Sequence, residues 1–143
     1  MPRTRLHIAA DFGVNSALQL DADQARYLSR VLRLRVGDNL IVFDGLGAEY
    51  SASITSLGKS NATLLVSEKT VATTESDLKV HLVQGVSRGE RMDFVIQKAT
   101  ELGVKRITPV LTEFGVVKLD ATRAEKRREH WQKVAASACE QCG

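Results

Sequence analysis

The chain has 143 residues, 43% hydrophobic and 26% charged, a composition that can build a packed core and is unlike that of a disordered chain. Two prolines exclude collagen-like and Pro-rich classes, and apolar runs such as Leu64-Leu65-Val66 fall far short of the ~20 residues a bilayer span needs. Twenty Lys and Arg against seventeen Asp and Glu leave a net charge of only +3, so the distribution of charge says more than its sum.

In chain order, Met1-Pro2-Arg3-Thr4-Arg5 has no apolar stretch behind its charges and does not read as a secretory leader, so the cytosol is the expected compartment. Leu6–Ala10 reads as a short strand. Asp21 followed by Gln24 resembles a capping box and predicts a helix. Ala25, Leu28 and Leu32 share one face of that helix, and Arg26, Arg30 and Arg33 gather on a face roughly opposite. With Arg35, they place four arginines and no acid between Gln24 and Gly37. An arginine stripe of this kind suits the oxygens of a phosphate-rich partner, and it also suits a solvated face.

Asn39–Asp44, Glu49–Ser56 and Ala62–Glu68 read as strands joined by the turns at Asp44-Gly45-Leu46-Gly47 and Gly58-Lys59-Ser60-Asn61. Tyr50, Ala52 and Ile54 fall on one side. Strands of this length with Gly-bearing turns predict a small antiparallel barrel or sandwich. The small, polar stretch Val71–Leu78 reads as a linker, dividing the chain into residues 1–72 and 73–143.

Beyond it the period changes. Lys79–Val86 reads as a strand, and Ser87-Arg88-Gly89-Glu90 as a capping box opening a helix whose stripe is Met92, Val95, Ile96, Ala99 and Leu102. Gly103 stands where a helix stops. Arg106–Leu111 is a further strand, completing a βαβ unit with parallel pairing, and Pro109 points to an edge or a strand end. A long helix follows from about Asp120 to Gln141 with Trp131, Val134, Ala135 and Ala138 inward. Its basic cluster (Lys118, Arg123, Lys126, Arg127, Arg128, Lys133) is interleaved with Asp120, Glu125 and Glu129, and Glu129 with Lys133 has the spacing of a local pair.

Among chemistry-bearing residues, Arg88 and Arg91 lie where a strand end meets a helix start, the usual ligand position in open α/β sheets and one suited to anions. Phe94 falls among Gln97, Lys98 and Glu101 on the polar side of its helix, which suggests a partner surface or cover by the first half of the chain. Cys139-Glu140-Gln141-Cys142 has no second ligand pair and sits at a helix end, so it reads as structural rather than as a zinc or redox motif. His7, His81 and His130 are scattered, and no nucleophile triad or phosphate-binding glycine loop is present.

The run from Val83 to Val104, centred on Gln97-Lys98-Ala99-Thr100-Glu101-Leu102-Gly103-Val104, resembles the signature of the bacterial ribosomal RNA small subunit methyltransferase E family. Ile107-Thr108-Pro109, Trp131-Gln132-Lys133, Ala138–Gly143, Tyr27–Asp38 and Phe43-Asp44-Gly45 extend the resemblance over nearly the whole chain. It implies an α+β and α/β protein: an N-terminal PUA-like RNA-binding β-barrel, then the first part of a SPOUT, or α/β-knot, methyltransferase domain. It implies a homodimer that uses S-adenosylmethionine to methylate uridine N3 of 16S rRNA in the small ribosomal subunit. Lys98 occupies a place where related knotted methyltransferases carry a functional Arg, so catalytic roles are expected for Lys98 and for Glu101 beside it. RNA contacts are expected at Arg3, Arg26, Arg30, Arg33, Arg35, Arg88 and Arg91.

Two departures stand out. Thr112-Glu113 is followed by Phe114 where the family has an Arg. The family's Gly-Pro-Glu-Gly-Gly cofactor loop and knot have no counterpart, so the chain is expected to be an N-terminal fragment that binds RNA but is inactive alone. The alternatives are a stand-alone RNA-binding module and an interaction domain using the Phe94 face.

Overall fold

Residues 4–45, 47–71 and 77–142 are described by the structure, a computed structural model. The chain divides into two compact units, residues 1–73 and 74–143.

In the first unit, β1 (Arg5–His7), β2 (Ala17–Leu20), β3 (Asn39–Phe43), β4 (Ala48–Leu57) and β5 (Ala62–Val71) form one sheet in the order β1-β3-β4-β5-β2. The β3-β4, β4-β5 and β2-β5 pairs are antiparallel, but β1 runs parallel to β3. This corrects the all-antiparallel expectation: the sheet is a mixed half-barrel. The parallel pair is possible because the long connection between β1 and β3, which contains β2 and a helix, lets the chain return in the same direction.

β2 escapes a reading by composition because Ala17-Leu18-Gln19-Leu20 has no β-branched or aromatic residue. Leu18 and Leu20 are nevertheless buried while Ala17 and Gln19 are exposed. Register shifts at Ser51/Ala52 and Ile54/Ser56 bend β4. Tyr50, Ala52 and Ile54 do face the core, where Leu28, Val42, Leu64 and Val66 are fully enclosed.

Helix α1 (Ala22–Arg26) opens on the expected box. The Asp21 carboxylate accepts from the Gln24 amide at 2.8 Å, and the Gln24 side chain accepts from the Asp21 amide at 3.2 Å. The helix does not continue as a regular α-helix. Tyr27–Val31 form a wider π turn, with the Leu32 amide donating to the Tyr27 carbonyl at 3.0 Å.

In the second unit, β6 (His81–Gly85) and β7 (Arg106–Val110) pair in parallel, with α2 (Glu90–Glu101) between them in sequence and α3 (Ala121–Cys142) after them. This is the expected βαβ unit, and Pro109 lies within β7 opposite Gln84. Met92, Ile96 and Trp131 form its core with Val86, Ile107, Val134 and Ala135 packed against them. Gly103 ends α2 at φ +78°, where its amide donates to the Thr100 carbonyl at 2.9 Å.

Two expectations fail here. The capping box at Ser87–Glu90 does not form: Gly89, at φ +63°, is the N-cap, and no side chain caps α2. Leu102 is 82% exposed rather than inward, because it lies past the last turn as the chain leaves the helix. The linker expected at Val71–Leu78 falls largely on residues 72–76, outside those described. Among the described residues, no helix is long and apolar enough to cross a membrane.

Candidate nucleic-acid interface

Arg26 and Arg30 lie four residues apart, one at the end of α1 and one in the π turn, and both are exposed. The capping box sets where the helix begins, and the buried Ala25 and Leu28 set its rotation, so the two arginines face away from the core. Together with Ser29, Leu57, Gly58 and Lys59 they line a groove of about 310 Å³. Lys59 is brought there by the β4–β5 turn, which the Gly58 amide closes on the Asn61 carbonyl at 2.8 Å. Among the described residues, the groove therefore holds three cations and no acidic side chain. Lys59 is legible in the sequence only as part of a turn; its charge is the one signal that could have singled it out.

Arg26 is engaged by Asp23 on the same helix. An exposed pair of this type is worth roughly 0–1 kcal/mol and exchanges readily for a phosphate.

Arg33 does not join the stripe. The Leu34 amide reaches back to the Leu28 carbonyl, and Arg33 sits beyond the helix at φ +56°. The expected i, i+4, i+7 face assumed a regular helix, and the π turn and left-handed residue end it one turn early. Arg35 is exposed in the following turn, where its amide donates to Asp38 Oδ2 at 2.7 Å. Arg3 lies outside the described residues.

In the second unit, Arg88 is exposed in the loop between β6 and α2, and Arg91 is exposed in the first turn of α2. Lys98 Nζ donates to Glu101 Oε2 at 2.7 Å and lies 5.9 Å from the centroid of the Phe94 ring. Glu101 thus orients Lys98, and the Phe94 ring, itself 61% exposed, lies close to the same ammonium. Phe94 and Gln97 also border an open groove of about 610 Å³ between α2 and α3, where His130 Nε2 lies 2.7 Å from Asp93 Oδ2.

The basic cluster of α3 is partly neutralised, though not through Glu129 and Lys133. Arg123 pairs with Asp120 and Arg128 with Glu125. The hydrogen bond from Arg128 holds the Glu125 carboxyl below its usual range and, reciprocally, raises Arg128. Cys139 and Cys142 are not joined in a disulfide. His81 is exposed, with Nε2 2.8 Å from Thr108 Oγ1. Phe114 is 92% exposed.

Comparison with known proteins gives this geometry a context. A family model described as an RNA methyltransferase domain matches residues 74–143, and one described as an RNA methyltransferase PUA domain matches residues 20–67. The ribosomal RNA small subunit methyltransferase E of Buchnera aphidicola (Schizaphis graminum) is 30% identical over 138 residues, covering 96% of this chain and 56% of that protein. The Bacillus subtilis protein of the same name is 34% identical over 122 residues, covering 85% of this chain and 48% of its own length.

The crystal structure of such a methyltransferase from Neisseria gonorrhoeae, bound to S-adenosyl methionine, superposes with a TM-score of 0.93 at 39% identity, covering 99% of this chain and 58% of that one. A Legionella pneumophila protein, also solved with that cofactor, superposes at 0.94 with 35% identity, covering the whole of this chain and 59% of its own. The chain thus spans about half the length of the curated relatives it matches. With two matching domain descriptions in the order of its two units and these relatives along nearly its whole length, the chain belongs to the ribosomal RNA small subunit methyltransferase E family.

Proposed function

We propose that the chain is the N-terminal portion of a cytoplasmic, homodimeric, S-adenosylmethionine-dependent methyltransferase acting on uridine N3 of 16S rRNA. Residues 1–72 are its PUA-like RNA-binding part and residues 73–143 the beginning of its SPOUT methyltransferase domain. The observation that carries RNA binding is the groove where Arg26, Arg30 and Lys59 meet with no acid among the described residues that line it. Cations from two segments far apart in sequence suit successive phosphates of one strand.

Lys98 is the residue best suited to act on the uridine. N3 must lose its proton before or as it attacks a methyl group, and a cation nearby lowers the cost of the resulting anion. Glu101 acts as its positioning residue through the 2.7 Å hydrogen bond.

The cofactor supplies the methyl group when bound. The groove between α2 and α3 does not fit it: Glu90, Asp93, His130 and Lys133 stand there beside Phe94, Val134 and Ala138, and it lies open to solvent, unlike the enclosed and mostly apolar slot an adenine ring requires. We infer that the 143 residues alone neither bind adenosylmethionine measurably nor methylate RNA.

Anisotropy with a labelled 16S rRNA fragment tests the first part. Changing Arg26, Arg30 and Lys59 together to Gln should weaken binding at least tenfold and lower the salt slope by about 2, at ~0.7 for each single-strand phosphate no longer neutralised. Unchanged affinity would remove the groove from the interface. Calorimetry of adenosylmethionine against this chain, and against a chain extended to the relatives' full length, tests the second part. Tight binding by the 143-residue chain would overturn it. In the extended chain, Lys98→Met should lower kcat roughly 100-fold with little change in RNA affinity, and Lys98→Arg should restore part of it.

A further inference from the structure

We propose that the second unit carries its own RNA phosphodiester site, a cavity of about 240 Å³ at the C-terminal end of β6, walled by Arg88, Gly89, Lys118, Arg127 and Trp131. The proposal rests on the reading that the protein's substrate is RNA. Its cations come from three places in the sequence: Arg88 from the β6–α2 loop, Lys118 from the segment before α3, and Arg127 from α3. Among the described residues, no acidic side chain lines the cavity.

The pairing along α3 marks Arg127 out. Its neighbours Arg123 and Arg128 are held by Asp120 and Glu125, whereas Arg127 has no acidic partner among the described residues. Arg88 is likewise without one. Lys118 is positioned by donating to the Glu113 carbonyl at 2.7 Å, which leaves two of its three protons for a ligand. Cations drawn together without acids repel one another, and a bound oxyanion relieves that repulsion.

Two further groups want an acceptor. Helix α2 begins at Gly89 with no side-chain cap, and although Glu90 and Asp93 share its first turn, neither lines this cavity. Trp131 is 7% exposed, and its indole Nε1 is buried with no acceptor among the described residues. A buried donor left unpaired costs about 1–3 kcal/mol. A phosphodiester brings several acceptor oxygens and one negative charge, whereas the cationic sulfonium of adenosylmethionine would be repelled.

Trp131 is the chain's only tryptophan, so its emission reports this cavity without ambiguity. The test titrates a single-stranded 16S rRNA fragment, and separately inorganic phosphate, into the 143-residue chain while following both Trp131 emission and RNA anisotropy. RNA should bind and shift Trp131 emission with the same midpoint, and phosphate should compete. Arg88→Gln with Arg127→Gln should abolish the emission change and lower the salt slope by about 1.4, at ~0.7 per phosphate. Arg127→Lys should keep most of both, and Arg123→Gln should change neither by more than its loss of net charge; circular dichroism confirms that each variant is folded.

RNA binding with unchanged Trp131 emission would overturn the proposal while leaving the RNA-binding function standing. A response to phosphate that RNA does not displace would make it a small-anion site and overturn it as well. Absence of any RNA binding would overturn the proposed function, and with it this site's occupant.

Discussion

The Leu34 amide donates to the Leu28 carbonyl at 2.9 Å, and this bond closes the arginine-bearing helix. The closure is a wider version of the left-handed stop that commonly ends helices, with Arg33 at φ +56° in the place glycine usually takes. A side chain there costs on the order of 1 kcal/mol relative to glycine. Arg33→Gly should therefore leave the fold intact and leave stability unchanged or raised by up to ~1 kcal/mol, while a β-branched Arg33→Val should lower it. Urea midpoints check both. A parallel loss of RNA affinity in Arg33→Gly would show that the strained position is kept for its guanidinium.

Arg5 on β1 pairs with Glu49 on β4, and both side chains are largely enclosed, at 16% and 14% exposure. The Arg5 guanidinium also lies 4.9 Å over the Phe43 ring, and its Nε is buried without a partner among the described residues. Removing the carboxylate strands a cation in a half-dry setting. Glu49→Ala should lower stability by about 3 kcal/mol, whereas Arg5→Met with Glu49→Leu should recover most of the loss. Chemical denaturation of the three proteins decides this.

Leu28 is completely enclosed in the core and lies in sequence between Arg26 and Arg30, the two arginines of the groove. Leu28→Ala should cost about 3 kcal/mol through lost burial and the cavity left behind. It should also weaken RNA binding without altering a charge, because the residue sets how Arg26 and Arg30 are presented. Denaturation and anisotropy on the same variant separate the two effects.

The Glu125 carboxyl titrates below its usual range because Arg128 donates hydrogen bonds to it. A depressed carboxylate contributes stability above its unfolded pKa and loses that contribution as pH falls through its folded pKa. Both side chains are more than half exposed, so the effect on α3 is small and salt-sensitive. A carboxylate-detected NMR titration should place Glu125 below an ordinary glutamate. Arg128→Gln should return it to the ordinary range.

The elements whose pattern repeats within a few residues were legible without coordinates. Met92, Ile96 and Ala99 recur at helical spacing, and Tyr50, Ala52 and Ile54 at strand spacing; all six are buried as that spacing requires. The Asp21–Gln24 box and the Gly103 stop also follow from local chemistry. The string from Gln97 to Val104 carried the family resemblance by identity alone.

Ser87 matched a local rule and still failed as a cap. The left-handed Gly89 takes the N-cap position, and a motif of residue types does not encode that backbone choice.

Local patterning thus determined the strands other than β2, where the helices begin and the presence of cations on one of them. Long-range packing decided the rest. The parallel partnership of β1 with β3 joins residues more than thirty apart, and no local period records it. The π turn that removes Arg33 from its stripe leaves no mark in the period of Ala25, Leu28 and Leu32. Lys59 beside Arg30, and Arg88 beside Arg127, meet only after the chain has folded back on itself. Charge acts through space rather than along the sequence, so both cationic grooves came into view only with the tertiary structure.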